Sequence, residues 1–255
     1  MIANYHSHTP RCRHANGSEE EYVKRALDQG LQIFGFSDHT PQYFPGDYYS
    51  FMRMYPEELT DYCDTVRNLR KNYSGKIQIP LGVEAEYYPA TWKEMLLRLQ
   101  DAGIEYMILG QHWLDNEQNA PGSARATADE DLLKRYCHQV MTGLDTGKFT
   151  YLAHPDLINF VGDRSIYRRH MGQLCRFARQ ADIPLEINLL GIRSKRHYAN
   201  PEFFALAAEE GCKVILGMDA HAPEHITERD SEKAALEMVR HFGLQLLDTV
   251  ELRPI

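Results

Sequence analysis

The sequence has no pair of cysteines at CxxC spacing. Its five cysteines, Cys12, Cys63, Cys137, Cys175 and Cys212, are odd in number and scattered. Neither a disulfide framework nor a thiolate zinc cage is expected, and the thiols read as reduced packing residues of a cytoplasmic protein. Only Cys12 falls inside a histidine-rich loop. No apolar run approaches the ~20 residues of a membrane span. The first residues enter a strand directly, without a basic leader, so neither a signal peptide nor a membrane partner is expected. Basic residues are in the minority: 28 Lys and Arg against 36 Asp and Glu give a formal charge of -8. Acids and bases are mixed along the chain, which excludes the basic patches that grip a nucleic-acid backbone. No Pro/Gly/Ser-rich linker, low-complexity tract or repeat divides the chain. Residues 1–255 are therefore expected to form one domain with a sizeable core. Nothing in the sequence sets an oligomeric state.

What the chain does hold is a regular alternation. Short apolar runs bounded by polar or turn residues predict strands at 2–6, 32–37, 76–84, 105–111, 149–153, 184–189 and 213–218. Continuous apolar character suits strands buried on both faces. Helix signals lie between them. Ser18 with Glu21 reads as a capping box, Tyr22, Val23, Ala26 and Leu27 as an apolar face, and Gly30 as the stop. Thr91 with Glu94 repeats the box ahead of Gly103. Asn200 reads as an N-cap, with Pro201 in first helical position and Gly211 past the end. Thr227 and Asp230 open a helix that Gly243 ends, and residues 57–72, 129–145 and 165–181 supply the others. Strand and helix in turn imply parallel strands with helical crossovers. An open doubly wound sheet would gather its ligands at one switch point. Here candidate ligands follow strands one to five and strand seven. The expected fold is therefore α/β, a distorted (β/α)7 TIM-like barrel with its site at the C-terminal ends of the strands.

Of twelve histidines, seven end one of these strands or sit in the loop after it: His6, His8, His14, His39, His112, His154 and His221. Glu84 and Asp219 join them. His6 and His8, at i and i+2, point to the same side of an extended chain, so both can grip one ion. Asp219 and His221 repeat that spacing after strand seven. Taken singly, each is an ordinary strand-end histidine or carboxylate. Their shared place on one rim is what a multi-metal site requires. Nine donors exceed the needs of one four-coordinate ion and suit two or three divalent ions. Imidazole and carboxylate without thiolate favour Zn, Mn or Fe over Ca or Mg. Asp38 and Glu86 read as groups around the ligands, although Glu86 shares a face with Glu84. His138, His170, His225 and His241 fall in or near helices and read as surface or packing residues.

These motifs resemble the PHP (polymerase and histidinol phosphatase) family over essentially the whole chain. The resemblance is carried by the segment from His6 to Ala15, the Ser37-Asp38-His39 turn and Gly82-Val83-Glu84. Gly110-Gln111-His112, Ala153-His154-Pro155-Asp156 and Met218-Asp219-Ala220-His221 complete it. Within the family, Arg53-Met54, residues 81–88 and 109–113, Glu186-Ile187-Asn188 and Gly191-Ile192-Arg193 look like the stand-alone histidinol-phosphatase branch. The resemblance implies a trinuclear site. His6, His8, Glu84 and Asp219 would hold one ion, Glu84, His112 and His154 a second, and His14, His39 and His221 a third. No ligand position is replaced, which argues against a binding-only relic. An amidohydrolase also begins with HxH on a barrel, but it usually wants a carbamylated lysine after strand four, where this chain has Gln111-His112.

The implied reaction is hydrolysis of a small phosphorylated substrate, L-histidinol phosphate, in histidine biosynthesis. Another small phosphate ester, a nucleotide or a phosphopeptide is the alternative. Metal-bound hydroxide would attack phosphorus in line, with Glu84, Asp219 and His221 as the catalytic residues among the ligands. Arg193, just after strand six, is the expected phosphate contact, and Arg53 a second candidate. Residues 40–56 carry Tyr43, Phe44, Tyr48, Tyr49, Phe51 and Tyr55 and could wall the organic end of the substrate. Residues 115–128 are polar and could form a lid.

Overall fold

Nine short strands alternate with helices in the computed structural model, which describes residues 1–255. The strands are β1 (Ala3–Asn4), β2 (Ile33–Phe34), β3 (Phe36–His39), β4 (Leu81–Ala85), β5 (Tyr106–Leu109), β6 (Phe149–Leu152), β7 (Leu185–Asn188), β8 (Lys213–Gly217) and β9 (Gln245–Leu246). The helices are α1 (Glu19–Asp28), α2 (Leu59–Asn72), α3 (Trp92–Asp101), α4 (Glu130–Asp145), α5 (Arg164–Gln180), α6 (Leu189–Arg193), α7 (Pro201–Glu209), α8 (Glu224–Thr227) and α9 (Asp230–Phe242). None is long and apolar enough to cross a membrane.

Strands β3 to β9 form one parallel sheet in chain order, and β1 and β2 form a separate parallel pair. The parallel α/β alternation is as expected. The closed ring is not, because the ladder ends at β3 on one side and β9 on the other. The outer edge of β8 is divided between two partners. Its start pairs with β9, Lys213 opposite Gln245 and Val214 opposite Leu246. Past its end, Ala220 bridges Ser7, and the His8 N–H donates to Ala220 O at 2.9 Å. The N-terminal segment thus crosses from β2, where Ala3 faces Ile33, to the residues after β8 without building a full ladder there. The two-residue β9 has no alternation to read and was not foreseen.

The expected strand at 32–37 splits at Gly35. A Cβ there would run into the Tyr106 hydroxyl. That hydroxyl donates to Tyr5 O at 2.8 Å and lies 3.2 Å from Phe36 O, so a side chain holds carbonyls that a ladder would use. Similarly, the expected run at 76–84 becomes regular only at Leu81, with Gln78 making an isolated bridge to Ile33.

Alternation along β5 separates two cores. Met107 and Leu109 join the large core that lies under the helices. Tyr106 and Ile108 join Ala3, Tyr5, Tyr151, Ala153 and Ile215 on the other face. Those residues come from segments spread across the sheet and from β1, so the sheet curves round them and its C-terminal ends converge.

The helix ends follow their local chemistry with two exceptions. Ser18 and Glu21 make the capping box of α1, and Asn200 caps α7 ahead of Pro201. Thr91 makes no cap, because its hydroxyl donates to Gln42 Oε1 at 3.0 Å and Glu94 pairs with Arg98. Thr227 ends α8 instead of opening α9. The Glu228 carboxylate accepts the N–H groups of Asp230 and Ser231 and starts α9 from outside.

Candidate metal centre

All nine expected ligands meet at the converging strand ends, with Glu84 as their hub. β3 and β4 pair with His39 opposite Glu84. Glu84 Oε1 lies 2.8 Å from His154 Nε2 and 3.4 Å from His112 Nε2. Its Oε2 lies 3.1 Å from His39 Nδ1, 3.5 Å from His6 Nε2 and 3.6 Å from His8 Nε2. Asp219 Oδ1 lies 3.1 Å from His8 Nε2 and 3.2 Å from His221 Nδ1. His221 Nε2 is 3.0 Å from His14 Nε2. Backbone geometry at the rim is unusual. His154 (φ 28°) and Asp219 (φ 46°) both hold left-handed conformations that side-chain-bearing residues avoid. Gly110 makes room for the hub: a Cβ there would sit 2.7 Å from Glu84 Cδ.

Several rings rest their far nitrogen on an acceptor. His6 Nδ1 is 2.7 Å from Glu186 Oε1, His8 Nδ1 3.3 Å from Asp38 Oδ1, and His112 Nδ1 2.8 Å from Glu86 Oε1. His14 Nδ1 is 2.7 Å from Cys12 O. These acceptors assign the proton to Nδ1 and turn the Nε2 lone pair toward the centre. Glu186 is itself tied down, accepting the His154 N–H at 2.9 Å and Asn188 Nδ2 at 2.8 Å. Asn188 Nδ2 also donates to Asp219 Oδ2 at 3.0 Å.

Burial disfavours charge on all these groups, and their neighbours decide the outcome. For His6, burial is overcome by the carboxylates of Glu186, Asp219 and Glu84, which hold the ring well above its usual range. His8 is pushed up to about 9: burial opposes, but Asp219 and Asp38 prevail. Burial would raise Glu84 and Asp219. Instead His112, His39 and His6 hold Glu84 well below the usual carboxylate range, and His6, His221 and His8 do the same for Asp219. His39 is driven well below its usual range by burial and then by His8. The centre therefore demands positive charge beside its carboxylates.

The residues fit metal ions. His6 Nε2, His8 Nε2, His39 Nδ1, Glu84 Oε2 and Asp219 Oδ1 are all buried without a hydrogen-bond partner, although they face one another. Such orphaned polar atoms are costly unless a cation joins them. Three-residue groups able to hold an ion include His6, His8 and Asp219, and His14, His39 and His221. In a third, Glu84 and His154 take His6 in place of the expected His112, whose Nε2 stands 3.4 Å from the hub. Cys12 also lies near His8 and His221, and burial and then Asp38 push its thiol far up.

A cavity of about 400 Å³ opens over the centre. Of the aromatics in residues 40–56, only Phe51 lines it, with Met52 beside it. Tyr43, Phe44, Tyr48 and Tyr49 border a separate hollow. Residues 115–128 contribute Gly122 and Ala124 to the wall and are tied back by a Trp113–Gly122 bridge and by Ser123 on Gln111 and His112. Arg193 ends α6 with Nη1 and Nη2 buried and unpartnered, but it is not among the residues lining the cavity, where Arg196 and Tyr198 stand instead. Arg53 is not a substrate contact. It is fully buried, and its donors are taken by Glu86, Glu117 and Thr40 O.

The PHP domain model matches residues 4–189. The chain belongs to the PHP domain family. A probable histidinol-phosphatase of Deinococcus radiodurans is 31% identical over 95% of this chain and 94% of its own length. The histidinol-phosphatase of Bacillus subtilis is 24% identical over 85% of this chain and 92% of its own. In structure, this PHP chain is similar to the histidinol phosphate phosphatase of Lactococcus lactis, crystallised with zinc, L-histidinol and phosphate. The TM-score is 0.74 at 20% identity, covering 98% and 97% of the two chains.

Within this PHP chain, sequence reading missed what Glu186 and Asn188 do around the centre. A carboxylate and an amide at i and i+2 in a strand buried on both faces are costly without partners, and that was the available signal. The sequence also did not single out Arg196, Tyr198 or Trp113 as cavity residues.

Proposed function

We propose that this chain hydrolyses L-histidinol phosphate to L-histidinol and phosphate, with two or three divalent metal ions (Zn, Mn or Fe) as cofactors. The observation that carries this reading is the convergence of buried, unpartnered donor atoms on His6, His8, His39, Glu84 and Asp219. They occur in a chain matched nearly end to end by a relative named for this activity. Residues 1–255 are read as one PHP-type domain, its curved sheet and crossing N-terminal segment approximating a distorted seven-unit barrel.

His6, His8, Glu84 and Asp219 would hold one ion, Glu84, His112 and His154 a second, and His14, His39 and His221 a third. When bound, such ions supply an acidified water near neutral pH and positive charge for the phosphate oxygens. The chain's own residues do the rest. Arg193 would offer its two unpartnered amino groups to phosphate oxygens as a fork, since buried guanidinium nitrogens without a partner need an anion. Asp219, which lines the cavity, would accept a hydrogen bond from the attacking water and steer its proton to the alcohol oxygen as the P–O ester bond breaks. Burial opposes charge on Asp219, and His6 first, then His221 and His8, keep that carboxylate ionised beforehand. Glu84 holds the His154 ring through Oε1 and turns Oε2 toward the rings of His39, His6 and His8.

Chelation tests the reading. EDTA-treated protein should lose phosphate release, and added Zn, Mn or Fe should restore it. Full activity in protein shown by elemental analysis to be metal-free would overturn it.

A further inference from the structure

Arg53 carries the most completely satisfied buried charge in the molecule, and the reaction above does not use it. The side chain is fully buried. Its Nε donates to Glu117 Oε2 at 3.1 Å. Nη1 donates to Thr40 O at 2.9 Å and Glu86 Oε2 at 3.0 Å. Nη2 donates to Glu86 Oε1 at 2.9 Å and also to Glu117 Oε2. A guanidinium has five N–H donors, and all five are engaged.

Its partners belong to different parts of the site. Glu86 lies just beyond β4, two residues after the hub Glu84, and its Oε1 also holds His112 Nδ1 at 2.8 Å. Glu117 belongs to the polar stretch that supplies Gly122 and Ala124 to the cavity wall. It is only 5% exposed, although Asp115 and Gln118 beside it are open to solvent. Its free oxygen accepts the Tyr48 hydroxyl at 3.1 Å. Thr40 and Tyr48 belong to the segment that brings Phe51 and Met52 to the same cavity. One cation thus joins the backing of a candidate ligand to both stretches of the cavity mouth.

We propose that Arg53 is a positioning residue: through Glu86 it fixes the His112 ring toward the hub, and through Glu117 it fastens residues 115–128 over the cavity. The inference rests on the metal-centre reading above. Glutamine at 86 would offer one acceptor oxygen where His112 and Arg53 need two. Lysine at 53 would keep the charge but lose the planar fork that serves two carboxylates.

The test uses the full chain, stripped of metal and titrated with Co(II), whose visible absorption reports ligand geometry. Hydrogen exchange at residues 115–128 and near-UV circular dichroism are followed in parallel. Glu86→Gln should weaken Co(II) binding by ~10–100-fold and change its spectrum. Glu117→Gln should leave Co(II) binding as it is and speed exchange at 115–128. Arg53→Lys should do both. Glu117→Gln keeps the inference testable should Arg53→Lys fail to fold. A Glu86→Gln protein with the parent's Co(II) affinity and spectrum, or a Glu117→Gln protein with the parent's exchange, would overturn the proposal. Failure of the parent chain itself to take up Co(II) would instead overturn the metal-centre reading beneath it.

Discussion

At Glu84, five imidazoles press on two carboxylate oxygens, and the distances leave Oε2 facing three rings without a hydrogen bond to any. Such a group is stable only when positive charge stands beside it, as protons on the rings or as a metal ion. This yields a pH test. His8 has its pKa raised to about 9 in the fold, against roughly 6.5 in an unfolded chain. Its stabilising contribution is fully present below that unfolded value and is lost as pH rises through 9. His6 and His154 shift in the same direction. Metal-free protein should therefore lose on the order of 3 kcal/mol from His8 alone between pH 6.5 and 9. Metal-loaded protein, with cations where those protons were, should hold its Tm. Calorimetry on both forms across that range checks it, and a flat Tm for the metal-free form contradicts it. At this scale the site was largely legible. His6 with His8, and Asp219 with His221, announce themselves by i, i+2 spacing at strand ends. Arg53 misled, because an arginine near an active rim reads as an anion contact unless its carboxylate partners are visible, and Glu117 lies 64 positions away.

The elements act by bringing ring and carboxylate to one rim at the right depth, and two glycines set that depth. A Cβ on Gly110 would strike the Glu84 carboxylate, and one on Gly217 would come within 2.5 Å of Glu186 Cδ. Gly110→Ala should therefore fold but displace the hub, giving a protein whose metal content by elemental analysis is well below the parent's. Unchanged metal content would show that Glu84 can shift at no cost. Gly82→Ala is a different case, because its Cβ would press into the Tyr106 ring, 2.6 Å from Cδ1. It should cost about 1–3 kcal/mol of stability by denaturant unfolding, with the centre's residues untouched. The strands and most helices were legible from apolar runs and caps. The split at Gly35 was not, since a tyrosine hydroxyl from a distant strand causes it. Thr91 failed as a cap for the same kind of reason: Gln42, far along the chain, takes its hydroxyl.

For the whole molecule, what matters is that the chain's first residues reach both sides of the sheet. The N-terminal segment pairs with β2 and then meets Ala220, so His6 and His8 lie between the ends of β3 and β8. The sequence pattern indicated parallel strands whose ends meet, but not that the sheet would stay open, with β3 and β9 at its edges. That depends on β9 taking the first half of the β8 edge. The cavity mouth is held at this scale too, by the buried Arg53 with Glu86 and Glu117. Removing only the cation, as in Arg53→Met, leaves buried Glu86 with His112 alone and buried Glu117 with Tyr48 alone, and should cost about 3–5 kcal/mol. A loss in urea unfolding below 1 kcal/mol, roughly that of a surface ion pair, would show the node to be solvated.

The measurement that bears most directly on the function is phosphate release from L-histidinol phosphate against a panel of other phosphate monoesters. It should use metal-loaded protein, with His8→Ala as control. The expected result is a strong preference for L-histidinol phosphate that disappears in the control. Hydrolysis of other esters with L-histidinol phosphate ignored would keep the metal-dependent phosphatase and contradict the substrate assignment. Release that persists in His8→Ala would contradict the metal centre itself.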